Sequence, residues 1–129
     1  MSKTIKRIRG DFGEAAVVDY LEKLGYKIIA QNYLKRVGEI DIIAAFEDLV
    51  VFIEVKSRKC GSLTDGIDSV TREKRRKIVK TAKEFLAENK KYYNYDSRFD
   101  VAEVTLTDGE NPQVVKIEYY DDAFSPMLL

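Results

Sequence analysis

The chain has 129 residues, 45% hydrophobic and 34% charged, with 22 Lys and Arg balanced by 22 Asp and Glu, one cysteine and no histidine. That is the make-up of one globular domain, 1–129, able to bury roughly two thirds of its unfolded surface. The missing histidine excludes a Ser-His-Asp triad, histidine-based nucleases and an ordinary zinc site, so any proton transfer falls to carboxylate, lysine, tyrosine or metal-bound water.

No run approaches the ~20 apolar residues of a membrane span, and the basic start MSKTIKRIRG lacks the apolar segment of a signal peptide. The expectation is a cytoplasmic protein with no membrane partner. Cys60 has no second cysteine to pair with. Residues 1–92 hold 20 Lys and Arg against 14 Asp and Glu, whereas residues 93–129 hold 2 against 8; this asymmetry suggests a phosphate-facing side and a remote acidic side.

Residues 1–9 are polar and basic and read as a mobile arm. From Asp11 to Leu24, Phe12, Ala16, Val17, Tyr20, Leu21 and Leu24 recur at helical spacing, and Gly25 stops the helix. Glu14 near its start has two readings. Three residues after Asp11 it completes the spacing of a capping box, where the helix dipole favours an acid; alternatively it is an acid of a site. Tyr26 to Gln31 has strand character, and Asn32 to Val37 reads as a polar connection.

Ile40 to Phe46 and Leu49 to Val55 are apolar runs separated by Glu47-Asp48, the pattern of an antiparallel hairpin. A two-residue turn there sets Asp41 against Glu54 and Glu39 against Lys56. Directly opposed acids lie ~5 Å apart and repel, and a hard divalent cation such as Mg²⁺ would relieve that repulsion while keeping waters for chemistry. Solvated charges or cross-strand ion pairs at a strand end are the plainer alternative.

Lys59 to Ser69 reads as a mobile loop containing Gly61 and Gly66. Ser69 or Thr71 then caps a helix running to about Asn89, with Ile78, Val79, Ala82, Phe85 and Leu86 as its buried stripe. Its first half carries Arg72, Lys74, Arg75, Arg76, Lys77, Lys80 and Lys83, either a phosphate track or an ordinary solvated face. Tyr92, Tyr93 and Tyr95 suit packing under a loop, or base stacking. Strands are expected from Arg98 and from Gln113, joined across residues 108–112. An acidic then apolar tail, 121–129, packs on the core or on a second subunit, leaving a homodimer open. The elements sum to an α/β domain with a mixed central sheet flanked by helices.

The combination of GDFGEAAVVDYL, GEIDII and FIEVKSR resembles the YraN-like bacterial family of the PD-(D/E)XK, restriction endonuclease-like superfamily, related to archaeal Holliday-junction resolvases. The resemblance spans about Gly10 to Val104; Ile40 stands where the superfamily motif has proline. It implies a restriction endonuclease-like fold and a Mg²⁺- or Mn²⁺-dependent nuclease site of Asp41, Glu54 and Lys56, with Glu14 and the Val55 carbonyl completing the metal set. Glu39 is expected to tune Lys56, and Arg58, Lys59, Arg72, Lys74, Arg75, Arg76 and Lys80 to meet nucleic acid, DNA ahead of RNA. Two other functions stand beside it: a nucleic-acid-binding protein that keeps the fold with little or no activity, and a metal-binding or interaction protein of a larger assembly, to which the acidic C-terminal third points.

Overall fold

The uninterrupted apolar run Val50-Val51-Phe52-Ile53 becomes the middle of a sheet covered on both faces, each residue no more than 1% exposed, because a strand with no polar side can only be buried twice. The computed structural model describes residues 3–62 and 70–126. Their elements are helix α1 (Ile5–Lys23), strands β1 (Lys27–Lys35), β2 (Gly38–Phe46) and β3 (Leu49–Lys59), helix α2 (Arg72–Glu88), and strands β4 (Asp96–Leu106) and β5 (Val114–Phe124). The strands form one sheet in the order β1-β2-β3-β4-β5. All neighbours are antiparallel except β3 and β4, which run parallel and are joined through α2, as a parallel pair requires a long crossover.

The helices lie on opposite faces. Val17 and Leu21 of α1 pack on Ile42, Ala44, Val51, Ile53, Ala102, Val104 and Leu106. Ile78, Val79, Ala82 and Phe85 of α2 pack on Ile43, Val50, Phe52, Phe99 and Val101. The result is the mixed, helix-flanked α/β sheet expected from the sequence, consistent with a restriction endonuclease-like fold. Among the described residues, no helix is long and apolar enough to cross a membrane.

Several local expectations change. Helix α1 begins at Ile5, inside the stretch read as an arm. Thr4 caps it, its side chain accepting from the Arg7 N–H at 3.1 Å, so Asp11 and Glu14 sit within the helix and form no capping box. Asp11 instead holds Lys3 at 2.6 Å. Phe12 and Leu24 are exposed, at 43% and 55%; the buried edge of α1 is the narrower series Gly13, Val17, Leu21. The helix ends as foreseen, Gly25 taking φ +97° while its N–H bonds to Glu22 and that of Tyr26 to Leu21, a Schellman closure. Asn32 to Lys35 are not a connection: β1 continues through them and pairs to the rung Lys35↔Gly38. Thr71 caps α2, while Ser69, the loop residues 63–68 and the last three residues of the tail lie outside the described residues. Tail residues Asp121 to Phe124 belong to β5. Tyr92 is buried in the α2-side core and Tyr93 is exposed, the packing reading of that cluster.

Gly13 sets how closely α1 approaches β3. A Cβ there would lie 1.8 Å from Ser57 Oγ and 3.0 Å from Ser57 Cβ. Gly13→Ala should therefore lower stability by roughly 1–3 kcal/mol, the usual cost of overpacking. Denaturant melts of Gly13→Ala and of the double variant with Ser57→Gly check this; the second change should recover most of the loss, and no recovery would place the strain elsewhere.

Candidate active site

The paired rungs of β2 and β3 run from Phe46↔Leu49 to Ile42↔Ile53, in the register that a Glu47-Asp48 turn imposes. Beyond that point the strands part. Residues 38–40 of β2 pair with β1 alone, while Glu54 to Lys59 pair with β4 alone. The sheet forks, and the expected Asp41–Glu54 and Glu39–Lys56 rungs are not made. Asp41 stands in the fork. Its Oδ2 accepts the Val55 N–H at 2.8 Å, supplying the partner that the departing strand has withdrawn, as a backbone donor away from water must have one.

The opposite neighbour of Asp41 explains why β2 turns away. Asn32 adopts φ 51° and falls between the rungs Gln31↔Ile42 and Tyr33↔Ile40. Asn tolerates this left-handed conformation, and it reverses the alternation. Ile40 faces the α2-side core and Ile42 the α1-side core, although residues two apart in a regular strand share a face.

A cleft of about 520 Å³ opens on the α1 side of the fork, lined by Glu14, Asn32, Glu39, Asp41, Val55 and Ser57 together with the start of α1. Burial first, and then the charge of Glu54, push the Asp41 carboxyl up to about 8, with Glu14 and Glu39 adding to the effect against the opposing Val55 N–H. Glu14 is also raised, by burial, against a hydrogen bond from Asn32, and its Oε1 is buried with no partner among the described residues. Glu39 thus acts on Asp41 and Glu14.

Glu54, 6% exposed, meets two amines. Lys74 Nζ of α2 lies 2.9 Å from its Oε1 and Lys56 Nζ 4.0 Å from the same oxygen. Burial pushes the Lys56 amine down, and the adjacent Lys74 ammonium pushes it further. Lys74 is itself raised; burial opposes this but is outweighed by its bonds to Lys56 and Glu54. Among the described residues, no three His, Cys, Asp or Glu side chains converge closely enough to hold a metal ion by themselves. Mg²⁺ needs only one or two carboxylates and fills its shell with water. A buried carboxyl held protonated beside a second acid, and a Glu14 oxygen with no partner among the described residues, fit such a cation.

Residues 13–104 match the model of the uncharacterised protein family UPF0102. The chain belongs to that family. A UPF0102 protein of Sulfurihydrogenibium sp. is 46% identical over 78% of this chain and 84% of its own, one of Treponema pallidum 39% over 95% and 96%, and one of Clostridium perfringens 47% over 82% and 85%. The matched segment contains every element of the fork: Glu14, Asn32, Asp41, Glu54, Val55, Lys56 and Lys74.

In this UPF0102 chain the basic residues divide. Arg72, Arg76 and Lys80 are exposed at a spacing of four, hence along one side of α2. Arg75 turns inward, its Nε donating to the Val70 carbonyl at 2.9 Å and its guanidinium lying 5.4 Å from the Phe124 ring. Arg58 pairs with Glu103 at 3.0 Å, and Lys59 lies 3.9 Å from Asp108. Arg75 and Arg58 are therefore each engaged within the protein. Lys74, expected on a phosphate, sits on a carboxylate. Helical spacing alone puts Lys74 one step from the buried stripe, but nothing in it names Glu54 as the partner.

Two buried acids escape the sequence reading, Glu103, which pairs with Arg58, and Asp100. Asp100, 0% exposed, accepts from Arg98, Tyr119 and the Asp122 N–H. Saturated in this way, it is a structural ion pair, whereas Asp41 has one donor and repelling neighbours.

The Asp41 shift makes stability depend on pH. With its folded value raised, this group's contribution is complete below the ordinary carboxylate range and is lost as pH rises to about 8, because the unfolded chain releases the proton first. Asp41→Asn retains an acceptor for the Val55 N–H and cannot ionise. In EDTA at pH 8 it should melt roughly 3–10 °C above the wild type, with the difference gone near pH 4; equal melting at pH 8 contradicts the shift.

Proposed function

We propose that this protein is a Mg²⁺- or Mn²⁺-dependent nuclease of the PD-(D/E)XK type that hydrolyses phosphodiester bonds. The observation that carries the reading is the forked sheet, with Asp41 on one arm and Glu54, Val55 and Lys56 on the other. Asp41 and Glu54 would hold the cation, with Glu14 and the Val55 carbonyl beside them. When bound, it supplies positive charge against the scissile phosphate and a more acidic water. Lys56, its amine displaced toward the neutral form, accepts the proton of the attacking water; the ammonium so formed then faces the charge growing on the phosphate oxygens. Water oxygen bonds to phosphorus as the phosphorus–oxygen bond to the leaving nucleotide breaks, and the leaving oxygen takes a proton from solvent.

The exposed series Arg72, Arg76, Lys80 would carry the phosphate backbone toward the fork. DNA, branched DNA in particular, is favoured by the resemblance to Holliday-junction resolvases. Binding without catalysis is the second reading; it draws on the Lys74–Glu54 ion pair, which neutralises one of the two acids without any metal.

A panel of branched, single-stranded and duplex DNAs and RNAs, incubated with Mg²⁺, Mn²⁺ or EDTA, tests the proposal. Cleavage should require the cation and fall by roughly 10²-fold or more in Glu54→Ala and in Lys56→Ala, both variants still binding nucleic acid. Cleavage that survives both replacements, or tight binding with no cleavage under any cation, sinks the nuclease reading. Reversing Arg72, Arg76 and Lys80 to glutamate should weaken duplex binding and make it less salt-dependent, the slope falling by about 0.9 for each phosphate no longer neutralised. An affinity indifferent to the three reversals removes α2 from the interface.

A further inference from the structure

Glu54 is the more deeply buried of the two fork acids, and its charge is not left without a counterion. A lysine from a different element, sixteen positions beyond Arg58 in sequence and on the opposite side of the sheet from α1, reaches it at 2.9 Å. Lys74 stands in the first turn of α2, and its side chain is 41% exposed against 7% for that of Glu54. The ammonium therefore enters from solvent to a buried carboxylate. Lys56 stands 4.0 Å from the same oxygen, the outer limit of an ion pair. Placement of a cationic group there is against the helix dipole, which disfavours positive charge in a first turn; the carboxylate offsets that cost.

We propose that Lys74 is a built-in stand-in for the divalent cation, a positioning residue that holds Glu54 in the fork until the ion arrives and then withdraws toward solvent. The proposal rests on the nuclease reading. An anionic oxygen buried at the mouth of a site cannot stay unpaired without driving its strand end outward or taking up a proton. A tethered ammonium prevents both. Because it is tethered to a half-exposed side chain with four rotatable bonds, it can also leave without unfolding anything. The same residue joins the site to α2, since Lys74 shares the start of that helix with the exposed Arg72 and Arg76.

The test is thermal melting and Mn²⁺ titration calorimetry on the full chain, comparing wild type, Lys74→Met, Lys74→Gln and Lys74→Arg. In EDTA the Met and Gln variants should melt several degrees below wild type. Saturating Mn²⁺ should abolish that difference, and both should bind Mn²⁺ about tenfold more tightly than wild type, since no resident ammonium competes. Lys74→Arg keeps the charge and should behave as wild type in both measurements. A lysine with a merely structural role predicts a deficit that Mn²⁺ does not repair and an unchanged affinity; that result overturns the proposal while leaving the nuclease reading intact. If neither wild type nor any variant binds Mn²⁺, both fall together.

Discussion

The hydrogen bond from the Val55 N–H to Asp41 Oδ2 is the point on which the site turns. In a regular antiparallel sheet the amide of Val55 would seek a backbone carbonyl on β2, and Asp41 would be one more strand residue. Asn32 removes that option by taking a left-handed conformation one strand away, so β2 leaves β3 after Ile42. The carboxylate then takes the place of a backbone group, and a gap opens between two strands whose other ends are pinned in a double-sided core. Everything chemical lies on the rim of that gap. Helix α1 closes one side of it because Gly13 lets its backbone rest on Ser57, bringing Glu14 beside Asp41; α2 closes the other side and delivers Lys74.

The electrostatics follow from that geometry. Asp100 shows how the same chain treats a buried acid when only stability is at stake: a bidentate guanidinium, a phenol and a backbone amide surround it. At the fork the chain does the reverse. Acids are set near one another, a carboxyl is raised to about 8, an amine is lowered, and an oxygen of Glu14 is left unpartnered among the described residues. Opposite displacement of an acid and a base around one fork costs stability, and such sites are where function is found.

Much of this is legible from residue order. The Glu47-Asp48 turn sets the register of β2 and β3, and the apolar stripe of α2 is readable from its spacing, because both depend on local periodicity. The fork is not legible. It depends on the φ angle of Asn32, a residue that reads as a loop former, and on the close approach of Gly13 to Ser57, a contact across forty-odd residues of chain. For the same reason the basic helix reads as one surface. Lys74 and Arg75 differ from Arg72 and Arg76 only in their angle around the helix axis and in what the sheet presents there, and periodicity gives the angle but not the partner. The start of α1 is hidden because Ile5 and Ile8 are too few to mark an apolar face amid lysine and arginine.

In the proposed reading the fork seats a divalent cation between Asp41 and Glu54. Paramagnetic broadening of amide resonances by trace Mn²⁺ tests it without reference to activity. The Val55 amide and its neighbours Asp41, Glu54 and Glu14 should broaden first, at Mn²⁺ levels that leave the acidic pair Asp121-Asp122 untouched, and Asp41→Asn should abolish the effect. Broadening that begins at Asp121-Asp122 or Asp108, or that is unchanged in Asp41→Asn, would contradict the account.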